Sequence, residues 1–77
     1  MKISENEVRD AFREAAAIGL ETVTMDDLVS FVTLGHHDYD DQAMRTQIGI
    51  HAETLGYQFD RIKGVTTYYI NLRTEQR

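Results

Sequence analysis

Val8, Ala11, Phe12 and Ala15 recur three and four residues apart, the spacing of one apolar helix face. Ser4 and Glu7 stand before them at capping-box spacing, where each side chain satisfies an orphan backbone N–H. Glu5 with Arg9 and Asp10 with Arg13 add pairs on the solvent side, and Gly19 suits the left-handed residue that ends a helix. Leu20–Val23 is a short stretch that predicts one small strand. Thr24 then caps a second helix, with Asp26 and Asp27 in its first turn, where negative charge is favoured. Its inner side is Met25, Leu28, Val29 and Val32, with Phe31 on the flank, and Gly35 stops it.

A polar connector, His36-His37-Asp38-Tyr39-Asp40-Asp41, precedes a third helix that Asp38 or Asp40 can cap. Met44, Ile48, His51, Ala52 and Leu55 share one side of its wheel. Gln42, Thr46, Gly49 and Glu53 lie opposite, Arg45 and Ile50 take the flanks, and Gly56 ends it.

From Tyr57 the period changes from helical to alternating. Tyr57–Ile62 and Val65–Leu72 flank Lys63-Gly64 and predict a β-hairpin. Pairing Ile62 with Val65 sets Phe59 opposite Tyr68 and Tyr57 opposite Ile70, so the large apolar side chains share one face with Leu72. Gln58, Asp60, Thr67, Tyr69 and Asn71 take the other. The expected fold class is α+β: three helices, a C-terminal hairpin and a short third strand, in a single domain over 1–77.

The 77 residues contain no Cys and no Pro. Disulfides and thiolate metal sites are thereby excluded, and no apolar run is long enough to span a membrane. Without a signal peptide at the start, a cytoplasmic location is expected. The net charge of −5 is uneven: residues 1–60 sum to −8 and residues 61–77 to +3. An acidic body therefore carries a basic end.

Helix, short strand, helix, turn, helix and hairpin is an order that resembles the winged helix-turn-helix superfamily. The stretch Gln47–Leu72 carries the likeness, through Leu55-Gly56-Tyr57, Arg61-Ile62-Lys63-Gly64 and Thr67-Tyr68-Tyr69-Ile70. In style it is similar to small winged domains attached to phage and plasmid replication proteins. The resemblance implies a regulatory or replication-associated module whose third helix enters the major groove of duplex DNA, with the wing on phosphates. Carried onto this chain, Gln42, Arg45, Thr46 and Gly49 would read bases. Arg61, Lys63 and Arg73 would meet phosphates, with Gly64 at the wing tip.

The chain departs from that pattern in its acidity. Asp26, Asp27, Asp38, Asp40 and Asp41 crowd the N-terminal turns that would approach the phosphates, and Glu53 lies on the reading side. Two readings follow, the DNA-binding one ranked first because Arg45 and the wing place cations in the second half of the chain. One is a non-catalytic DNA-binding module; the other is an acidic protein-binding module that uses those five aspartates against a basic partner protein. A homodimer is compatible with either.

Other chemistry is sparse. His36-His37 with the neighbouring aspartates has metal-ligand residue types, but neither helical His spacing nor a calcium-loop pattern, and reads as a solvated loop with a helix cap. His51, on the apolar side of its helix, reads as a core histidine with one satisfied nitrogen. No nucleophile–base pattern or phosphate-binding glycine loop is present, so no enzyme activity, metal or cofactor is expected. Ile62 and Val65 at the turn are apolar where no core reaches, between basic neighbours, and Tyr69 on the polar face is a further contact candidate.

Overall fold

In the computed structural model, residues 3–33 and 40–73 are described, those of Leu72 and Arg73 by backbone alone. Gly35, Asp38 and the two histidines of the connector lie outside the described residues.

The first helix, α1 (Glu5–Ala17), starts where its capping box dictates. The Glu7 N–H donates to Ser4 Oγ at 3.2 Å and the Ser4 N–H donates to Glu7 Oε1 at 3.2 Å. It ends in a left-handed Gly19 at φ 88°, and the Leu20 N–H returns to the Ala15 carbonyl at 3.1 Å. Leu20 thus belongs to the helix-ending turn. The strand expected from Leu20 begins two residues later, as β1 (Thr22–Thr24), and only Val23 of the three points inward.

Thr24 also caps α2 (Met25–Thr33): its Oγ1 accepts from the Asp27 N–H at 3.1 Å. Of the two residues expected to cap the third helix, Asp40 does so, accepting from the Ala43 N–H at 3.0 Å, and Asp38 lies outside the described residues. The helix is α3 (Asp41–Thr54), with Met44, Ile48 and Ala52 fully buried.

The hairpin strands are β2 (Tyr57–Ile62) and β3 (Val65–Arg73), joined through Lys63 at φ 54° and Gly64 at φ 79°. Two successive positive values match the right-handed twist of the strands. The three strands form one antiparallel sheet of order β1-β3-β2. Ile62 pairs with Val65 and Phe59 with Tyr68, the expected register. Beyond Phe59 the register breaks: Tyr57 pairs with Arg73, not with Ile70. Across this shift Tyr57 stays in the ladder and its ring stacks on Phe12, while the Ile70 N–H donates to the Glu21 carbonyl at 3.0 Å.

The molecule is therefore α+β, with three helices packed on one face of a three-stranded antiparallel sheet. Phe12, Leu28, Met44, Ile48 and Val8 fill the centre, with Tyr68 and Ile70 from β3. Ile3 is sealed in from the N-terminal side: its N–H donates to Gln47 Oε1 at 2.6 Å, and its carbonyl lies 2.8 Å from His51 Nε2. His51 is half-buried, with a ring nitrogen satisfied by backbone.

Candidate binding groove between the third helix and the hairpin

Phe59 shares a face with Tyr68, their ring centroids 5.6 Å apart, yet it is 55% exposed. Every β2 residue after Tyr57 is exposed, so both faces of that strand are open where it runs beside the flank of α3. Between them lie two adjoining hollows of about 500 and 370 Å³, which share Met25, Arg45, Thr46, Arg61 and Thr66 and so form one groove.

Most of the residues expected to touch DNA come together here. Gln42, Arg45, Thr46, Arg61 and Gly64 line the larger hollow, and Gly49 lines the smaller. Lys63 is exposed at the turn. Arg73 contributes a backbone position opposite Tyr57, and its side chain lies outside the described residues. Thr46 Oγ1 is turned back on its own helix, donating to the Gln42 carbonyl at 3.0 Å.

The aspartates are close by. Asp26 and Asp27 occupy the first turn of α2, while Asp40 and Asp41 open α3. All four are exposed. Asp40 and Asp27 already accept from backbone N–H groups at the two helix starts, Asp27 Oδ2 from the Thr24 N–H at 3.4 Å.

Arg45 links the two sets. Its Nε donates to Asp41 Oδ2 at 2.7 Å, one helical turn back, and its Nη2 donates to Asp26 Oδ1 on the neighbouring helix. These hydrogen bonds, Asp26 first and Asp41 second, push the guanidinium pKa further above its already high value. The arginine expected to read a base is thus occupied by two of the carboxylates expected to serve the opposite reading.

Two wall residues escape a pattern-based reading. Ile50, on the helix flank, is 58% exposed, and Phe59 faces it across the smaller hollow beside Glu53. The alternation that places Phe59 on the apolar face does not reveal that it stays 55% exposed there. Tyr69, the further contact candidate, has its hydroxyl engaged by Asp60 Oδ2 at 2.9 Å across the hairpin. Among the described residues, no group of three or more His, Cys, Asp or Glu side chains is placed to hold a metal ion, and no helix is long and apolar enough to cross a membrane.

The chain matches no family model, and no curated protein or solved structure resembles it closely enough to count as a match.

Proposed function

We propose that this chain is a non-catalytic winged helix-turn-helix module that holds a basic protein surface on the acidic N-terminal ends of α2 and α3. The element order supports the fold reading, as does the pairing of β1, from between the first two helices, with the second hairpin strand. One observation carries the functional reading: Arg45, the sole Lys or Arg of α3, is neutralised by Asp26 and Asp41. With Asp27 and Asp40 beside them, the helix ends present four carboxylates against one cation. A phosphate backbone meets net repulsion there, whereas lysines or arginines of a partner protein find exposed acceptors.

A second reading has its own support. Arg61 and Lys63 take part in no ion pair among the described residues, and Arg61 shares the groove with Gln42 and Thr46, whose side chains can pair with bases. On this reading the module docks on duplex DNA through α3 and the hairpin, as a regulatory or replication-associated part.

One pair of titrations separates the two. The isotope-labelled chain is titrated at low salt with a short oligolysine peptide and, separately, with a mixed-sequence duplex. Protein recognition predicts oligolysine-induced amide shifts around Asp26, Asp27, Asp40 and Asp41, lost when these become asparagine, and no response to the duplex. Salt-sensitive duplex binding with shifts at Thr46, Arg61 and Lys63 replaces the first reading with the second.

A further inference from the structure

We infer that the groove is the seat for a second copy of this chain: the hairpin turn of one molecule enters between α3 and the hairpin of another, reciprocally. Both halves of the contact are visible on one molecule. The turn displays Ile62 and Val65, 46% and 38% exposed and directly paired, beside the cations Arg61 and Lys63. The groove offers the apolar walls Ile50 and Phe59 and the carboxylate of Glu53, while Asp26 at its other end is already held by Arg45. Apolar tip meets apolar wall, and cation meets carboxylate.

Two local choices, one on each side of this contact, run against the fold's own preferences. Gly49 sits inside α3, where glycine is a poor helix former, yet no positive φ and no crowding require it. A Cβ there would meet nothing nearer than the Tyr68 hydroxyl at 3.8 Å. Its effect is to keep the groove floor bare. Lys63 holds a left-handed φ of 54°, a conformation that Asn or Gly adopts with less strain. Its effect is to place a cation at the tip. Bulk is withheld where something enters, and charge is supplied on what would enter.

The geometry also sets the symmetry. Gly64 and Val65 line the same hollow as Arg45 and Thr46, so each molecule carries turn and seat side by side. A copy that inserts its turn presents its own seat to the partner's turn. Such a contact is isologous and closes as a two-fold dimer, not a filament. A standard interface buries about 800 Å² per partner, and a turn in a groove covers less, so the dimer is weak and concentration-dependent. Asp26 borders both surfaces, but Asp27, Asp40 and Asp41 do not line the seat. Neither Lys63 nor Glu53 belongs to the acidic helix ends, so substitutions at those two positions test the inference separately from the protein-binding reading.

Sedimentation velocity over a concentration series tests it, using the full chain, the variants Lys63→Glu and Glu53→Lys, and their equimolar mixture. Both substituted side chains are exposed, and thermal unfolding checks that each variant folds. The unaltered chain should pass from monomer to dimer with rising concentration. Each variant alone should weaken the dimer by about tenfold, because like charges then oppose one another twice. Mixing the two should restore it, since each variant meets the opposite charge on the other. A monomer at every concentration, a dimer indifferent to both substitutions, or single-variant losses that mixing does not repair each overturns the proposal. So does a chain that stays monomeric while a duplex shifts the Gly49 and Phe59 amides, which assigns the seat to nucleic acid.

Discussion

The rings of Phe12 and Tyr57 lie face to face, centroids 3.7 Å apart and planes 5° from parallel. Phe12 is fully buried and also meets Tyr68 edge-on at 5.6 Å, so one α1 side chain ties both hairpin strands to the helices. Phe12→Ala should therefore destabilise the chain by about 3–5 kcal/mol, the range for a buried aromatic whose cavity cannot collapse. Urea unfolding followed by far-ultraviolet circular dichroism measures this. A loss below about 1 kcal/mol would mean that the hairpin is not held through this ring.

That stack marks where the sequence ceases to be legible. The helix boundaries follow from Ser4, Thr24 and Asp40, because a cap acts on its own backbone and needs no distant partner. The register from Ile62 to Phe59 follows from alternation and a two-residue turn, which are local too. Tyr57 breaks that register for a contact 45 residues away, which no strand period encodes. The groove is partly legible: Gln42, Thr46 and Gly49 are readable as a polar helix side. The capture of Arg45 by Asp26 depends on how α2 and α3 meet, and the exposure of Phe59 on which strand residues the helices cover.

Tyr69 and Tyr68 predict a high-pH signature. The hydrogen bond to Asp60 raises the Tyr69 pKa above its ordinary 10.0, and the Asp60 charge reinforces it. Burial, then the charge of Glu53, raises that of Tyr68. A phenol with a raised folded-state pKa keeps its proton longer in the native state. Above pH 10 or so the unfolded chain ionises first, so stability is full below that pH and falls as pH rises toward the folded values. Phenolate absorbance should show Tyr68 and Tyr69 titrating late, and Tyr69→Phe should remove one late step. Normal titration of both in the folded chain would refute the hydrogen bond and the burial together.

The Arg45 clamp separates the two readings of the acidic helix ends by the sign of one substitution's effect. Arg45→Gln should change stability by no more than about 1 kcal/mol, because its ion pairs are solvent-accessible. It also frees two carboxylates and makes the face more acidic. Oligolysine affinity should then rise by about two- to threefold at low salt and return toward the original value as salt screens the charges. On the DNA reading the same substitution removes a base or phosphate contact and weakens duplex binding. The sign of the change, read by fluorescence anisotropy with each ligand, discriminates more sharply than its size.

Gly49 and Lys63 allow stability and association to be set against each other. Gly49→Ala adds a methyl into open groove and a better helix former to α3, for a gain of about 0.5–1 kcal/mol. Lys63→Asn places before Gly64 the residue that a turn with two positive φ values prefers, so it too should gain stability. Both variants should therefore unfold at higher urea concentration than the natural chain. If the groove seats the turn of a second copy, both should also self-associate less, Gly49→Ala by narrowing the floor and Lys63→Asn by removing the tip charge. Stability and dimerisation would then move in opposite directions at two positions chosen from opposite sides of one contact. Were both variants more stable and equally prone to dimerise, the bare floor and the strained lysine would have no part in the contact, and its interface would have to lie elsewhere.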